Sequence, residues 1–198
     1  MKKLFFIAYF ITCATTAATI LSSQAESPVE QLVRIMLSNT NPKDKCSYVL
    51  ARERKPNDYQ DVYNLATKYQ KLLKGIIHDG RTFAMLCVEK GHADVLARLI
   101  NEDYLVDLAT PCNVWGPHEP QTTVLHKLLS EVWKLRSFKD LYSEEYIARI
   151  SELTKLIINK YPDLLDIPVN RARTARNEAL SRCGGAYIGD LIPPRDLP

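Results

Sequence analysis

Apolar residues recur along most of this chain at intervals of three and four, the spacing that gathers them on one face of an α-helix. No extended stretch alternates apolar with polar residues, and only seven glycines are spread over 198 residues, which argues against an all-β architecture. Ser27-Pro28-Val29-Glu30 reads as a capping box with proline at the first helical position. It opens a helix with Val29, Leu32, Val33 and Met36 on one face, ended by the polar run Ser38 to Pro42. A short helix is expected over Cys46 to Glu53. After the break at Lys55-Pro56-Asn57-Asp58, Asp58 can cap a third helix with Val62, Leu65, Tyr69, Leu72, Leu73 and Ile76 in register.

Thr82 is placed to cap a helix over Phe83 to Glu89, and Gly91 to end it. His92 to Asn101 follows, with Val95, Leu96, Leu99 and Ile100 on one side. Residues 110–121 form a loop carrying Pro111, Pro117 and Pro120. Thr123 opens a helix with Leu125, Leu128, Leu129 and Val132 inward. Ser143, followed by Glu144 and Glu145, starts the longest helix of the second half, striped by Ile147, Ile150, Leu153 and Ile157. A last helix runs from Thr174 to about Arg182, and a tail with Pro193, Pro194 and Pro198 is expected to lie extended.

The first residues follow a different logic. Lys2 and Lys3 precede the uncharged apolar run Leu4 to Ile11, and Ser23-Gln24-Ala25 places small residues where a signal peptidase reads. The expectation is an export signal over residues 1–25 and a mature chain from Glu26, in the periplasm or secreted. A membrane anchor over Leu4 to Leu21 is the competing reading, weakened by four threonines. Thr12 before Cys13 disfavours a lipid anchor.

Charge narrows the partners. There are 26 basic and 23 acidic side chains, and loss of Lys2 and Lys3 brings them closer to balance. That balance supplies no general attraction to nucleic acid or anionic lipid, and no later stretch suits membrane insertion. Cys46, Cys87, Cys112 and Cys183 remain beyond the signal. In an oxidising compartment they allow up to two disulfides, with Cys112 favoured as a member because it lies in a loop and Cys87 suited to be a buried thiol.

One segment carries a family likeness. Gly80-x-Thr82, the pair Gly91-His92, and then Val95-Leu96 and Leu99-Ile100 together resemble one ankyrin repeat. Thr123-Val124-Leu125-His126 resembles a second start, forty-one residues on, and Thr174-Ala175-Arg176-Asn177 a weaker third. The family period is about 33 residues, so insertions are expected around Trp115 and between Trp133 and Ser143. No copy keeps the family's proline, and only the middle one keeps its histidine. The likeness implies an all-α, ankyrin-like helical repeat stack over residues 79–190, with an N-terminal helical cap over 26–78 and an extended tail over 191–198. It also implies a face that binds another protein. The family's contact positions fall on His78, Asp79, Arg81, Glu89, Lys90, Thr122, Ser130 and Glu131, with Trp115 in the inserted loop as a candidate anchor.

Catalytic signatures are lacking. There is no glycine-rich phosphate loop, no Gly-x-Ser-x-Gly, no His-Glu-x-x-His and no Cys-x-x-Cys. Cys112, His118 and His126 match no common zinc spacing, and no cofactor is expected. Cys183 beside Gly184-Gly185 is the one candidate thiol nucleophile, and Arg171, Arg173, Arg176 and Arg182 form a local basic cluster. The leading expectation is an exported protein-binding module. One version neutralises a periplasmic toxin or lipase, as some exported ankyrin-like proteins do; another is an effector acting on host proteins. The other classes are a thiol-dependent or hydrolytic enzyme on an irregular helical scaffold and a structural envelope protein.

Overall fold

A computed structural model describes residues 26–37, 56–113, 121–137, 143–169, 173–183 and 189–192. The expected signal segment, the helix over Cys46 to Glu53, Trp115, His118 and Arg171 lie outside them. The described chain is mostly helical. It holds seven α-helices: α1 (Pro28–Leu37), α2 (Pro56–Lys68), α3 (Phe83–Glu89), α4 (Ala93–Asn101), α5 (Val124–Ser137), α6 (Glu144–Lys160) and α7 (Ala175–Cys183). One small antiparallel pair, β1 (Ile76–His78) with β2 (Arg81–Thr82), and three 3-10 turns complete it.

The helix starts follow the capping chemistry. The Ser27 amide donates to Glu30 Oε2 at 2.8 Å and the Glu30 amide to Ser27 Oγ at 3.2 Å, a reciprocal capping box. Ser143 Oγ accepts from the Tyr146 amide at α6. Leu32 and Met36 of α1 are buried, and Ile35 rather than Val33 joins Val29 against the core.

Helix α2 departs from the expected pattern at both ends. It begins at Pro56, so Asp58 lies within its first turn rather than ahead of it, and it stops at Lys68. Near the end the Thr67 hydroxyl donates to the carbonyls of Tyr63 and Asn64, and Tyr69 leaves helical geometry at ψ 67°. Leu72 and Leu73 are therefore buried from a 3-10 turn, Gln70–Leu73, and Ile76 points outward from β1 instead of completing a helical stripe. The end of the chain differs as well. Leu191 is buried in the 3-10 turn Gly189–Leu191, and Ile192 packs on the core, so neither belongs to an extended tail.

A junction recurs three times. Each copy is a short antiparallel contact, then a threonine at the helix start, then a helix. In the first, β1 and β2 turn through Asp79 and Gly80, both with positive φ, as a type I′ hairpin turn requires. Thr82 follows, and its hydroxyl accepts from the Met85 amide. In the second, Cys112 and Thr122 exchange two backbone bonds of 2.8 and 3.0 Å, and Thr123 Oγ1 meets the His126 amide. In the third, Val169 pairs with Arg173 and Thr174 Oγ1 accepts from the Asn177 amide. We call the three antiparallel contacts fingers.

The helices pack in two rows, a first row whose members each follow a finger and an outer row beside it. Helix α3 packs on α5 and α5 on α7, while α2 packs on α4 and α4 on α6. Helices α3 and α4 form a hairpin, as do α5 and α6. The α3–α4 reversal is closed by Gly91 at φ 75°, with the His92 amide donating to the Cys87 carbonyl, the long bond of a Schellman turn. The outer row is parallel. Tyr59 near the start of α2 meets His92 at the start of α4, edge to face at 5.5 Å, and Tyr63 further along contacts Arg98 and Glu102. Arg149 reaches Asp94 at the start of α4, and Lys160 reaches the Ile100 carbonyl at its end. The core between the rows holds Phe83, Met85, Leu96, Leu99, Ile100, Leu125 and Leu128.

The broken end of α2 makes a testable distinction. Leu72→Ala should cost about 2–5 kcal/mol in urea unfolding, the usual cost of truncating a buried leucine. Ile76→Ala should stay within about 0.5 kcal/mol. Equal losses would restore Ile76 to the core and contradict the break.

Candidate functional site

Within the described residues, the expected contact residues divide between the first two fingers and the helices α3 and α5. His78 closes β1, with Nε2 3.2 Å from Asp79 Oδ2. Asp79 is the turn residue, at φ 45° and 71% exposed in its side chain. Arg81 leaves β2 and runs back along α3: its Nε donates to Glu89 Oε2 at 2.8 Å and an Nη donates to the Asp79 carbonyl. Its side chain is 23% exposed and that of Glu89 only 13%. This pair ties the finger tip to the far end of α3, so Arg81 and Glu89 act on the finger's shape first. Lys90 follows Glu89 at the helix C-terminus.

The second group surrounds α5. Thr122 belongs to the second finger through its pairing with Cys112. Ser130 lies half-buried on α5. Glu131 is only 16% exposed and accepts ion pairs from Lys127 at 3.0 Å and Lys134 at 3.4 Å. The two lysines were not among the expected contact positions. Their three- and four-residue offsets from Glu131 were the available signal.

The two groups are joined. The Asn113 amide donates to the Gly80 carbonyl at 3.3 Å, and a Cβ on Gly80 would lie 3.5 Å from Asn113 Cβ, so the first two fingers pack side by side. The face is thus continuous from His78 through Thr122, and α3 and α5 extend it. Most of its charges are already paired within the chain, so it offers shape and polar edges rather than a strong field.

Cys112 corrects the disulfide expectation. It is a free, fully buried thiol at the base of the second finger, and Cys87 is a buried cysteine of α3. Cys112 Sγ lies 3.9 Å from Thr82 Oγ1 and 3.5 Å from the Thr110 carbonyl, linking the second finger to the first threonine cap. The physical reason is the Cys112–Thr122 pairing: residue 112 sits at the paired base of the loop, with its side chain turned into the core. Burial pushes its thiol above the ordinary value, and hydrogen bonding with Thr82 offsets this in part. Cys183 ends α7, and its side chain lies outside the described residues.

His126 shares a 2.8 Å hydrogen bond between its Nδ1 and Thr123 Oγ1 and is buried. Its ring helps hold the threonine that caps its own helix. Among the described residues no group of three or more His, Cys, Asp and Glu side chains could hold a metal, and no helix is long and apolar enough to cross a membrane. No protein-family model, curated protein or solved structure matches the chain.

Thiol labelling checks the burial. Cys87 and Cys112 should resist a thiol-specific reagent in the native protein at pH 8 and react fully in denaturant, with peptide mass spectrometry locating the label. Rapid native labelling at Cys112 would show that the finger base opens.

Proposed function

We propose that this chain is an exported protein-binding module, built as a short, degenerate ankyrin-like stack with α1 and α2 as its N-terminal cap. The observation that carries the reading is the recurrence of finger, capping threonine and first-row helix at Thr82, Thr123 and Thr174. The parallel outer row of α2, α4 and α6 supports it, since stacked repeats bring equivalent helices side by side in one direction. The bond between Thr123 and His126 gives the histidine of the middle copy a task in the turn.

On this reading the partner is another protein, held by the fingers and the first-row helices. The partner class we favour is a toxin or lipase met in the periplasm, which the module neutralises; release toward a host is the alternative route. Within the contact set, His78, Asp79 and Lys90 are the direct contacts, together with Thr122, Ser130 and Trp115. Arg81, Glu89 and Glu131 hold the face in shape through their ion pairs. The thiol-dependent alternative rests on Cys183, whose side chain lies outside the described residues; Cys112, buried with its thiol pushed up, is a poor nucleophile.

Affinity capture from envelope extracts tests the proposal. The wild-type protein should retain one partner, and the variant Asp79→Asn, Lys90→Ala, Trp115→Ala should lose it at least tenfold while keeping its melting temperature, asparagine tolerating the left-handed turn position. A partner that ignores the three substitutions, or none at all, would overturn the assignment of this face.

A further inference from the structure

The linkers on the outer side of the fold carry a second surface. Lys74 and Gly75 ahead of β1, residues 105–109 between α4 and the second finger, and Tyr161 and Leu164 after α6 surround a shallow cleft. Its apolar walls are Leu105, Val106, Leu108, Tyr161 and Leu164. Three large hydrophobic residues stand exposed among the described ones, and the most exposed of them, Leu105, belongs to this cleft. Leu105 is 74% exposed and stands beside Val106, Leu108, Tyr161 and Leu164 of the same cleft. Contiguous apolar surface of this kind marks an interaction site, whereas scattered single residues do not.

The floor is well held. The Asp107 amide donates to the Leu73 carbonyl at 2.8 Å, and the Gly75 amide donates to Asp107 Oδ2 at 2.9 Å. Asp107 Oδ1 accepts from the amides of Ala109 and Thr110. The Asp107 carboxylate is thus occupied by three backbone donors. The nearby carboxylates are also engaged, Glu102 by Arg98 and Tyr63, and Asp103 by Lys160. The cations differ. Lys74 in the wall and Lys71 three residues earlier are exposed, and no ion pair among the described residues engages either. Asp163, exposed and next to Leu164 in the chain, has no ion pair among those residues.

We propose that this cleft is a second docking site, distinct from the finger face, that takes an extended peptide segment of another protein. An apolar side chain of the segment seats against Leu105, Tyr161 and Leu164. An acidic residue beside it faces Lys74 and Lys71. The apolar walls supply the anchor pocket, and Lys74 in the wall, with Lys71 three residues before it in the chain, sets the sign of the flanking residue.

A phage-displayed library of random nine-residue peptides, selected on the purified protein, tests this. The enriched sequences should share an apolar anchor flanked by Asp or Glu. A synthetic consensus peptide should lose at least tenfold in affinity with Leu105→Asp and severalfold with Lys74→Glu, and should be indifferent to Asp79→Asn with Lys90→Ala. Leu105 is exposed, so its substitution should leave the melting temperature unchanged, and Leu105→Ser provides a second variant. Failure to enrich any peptide that depends on Leu105, or enrichment of basic flanks, would overturn the proposal. So would a self-association that Leu105→Asp abolishes in sedimentation, which would assign the cleft to a second copy of the chain.

Discussion

Helix α3 has seven residues, and every side chain from Phe83 to Val88 is buried. Isolated helices below about 12–15 residues are marginal in water, so a helix of this length exists only through what surrounds it. Its first turn is held by Thr82, its last by Gly91 and the Cys87–His92 bond, and its sides by α4 and α5. The rest of the structure depends on this mutual burial. Finger, cap and neighbouring helix have to be in place together, which is why the same junction reappears ahead of α5 and α7.

The outer row shows how direction is fixed. Asp94 and Asp103, at the two ends of α4, meet Arg149 and Lys160, near the start and at the end of α6. Ion pairs at the protein surface add little stability. Their placement matters because an antiparallel arrangement would exchange the partners. Asp103 also takes a left-handed conformation at φ 60°, the position glycine usually fills after a helix, and Lys160 holds its carboxylate there. Because α4 and α6 run the same way, the chain must cross back between them. The linkers that line the cleft lead directly into the fingers, so both arise where the chain passes from one row to the other.

Local chemistry was the legible part of the sequence. The capping box at Ser27, the threonines at 82, 123 and 174, the stop at Gly91 and the start at Ser143 all act through residues three or four apart, and each is found where the pattern placed it. The end of α2 was not legible, since Leu72, Leu73 and Ile76 continue a helical spacing that the chain leaves at Tyr69. Strands of two and three residues are too short to show alternation, and Gly80 ahead of Thr82 is the one mark of the first finger in the sequence. The burial of Cys112 and Leu191 depends on pairing and packing with distant segments. The cleft is invisible to any local pattern, because three separate linkers build it.

The parallel outer row is the central structural claim, and short-range crosslinking tests it most directly. In a background with the native cysteines replaced, paired substitutions would be Asp94→Cys with Arg149→Cys, and Asp103→Cys with Lys160→Cys. The crossed controls are Asp94→Cys with Lys160→Cys, and Asp103→Cys with Arg149→Cys. Nine residues of helix span about 13 Å, enough for a short bis-maleimide to separate matched from crossed pairs. The account predicts that both matched pairs link and both crossed pairs do not. Efficient linking of the crossed pairs would mean that α4 and α6 run antiparallel and would contradict it.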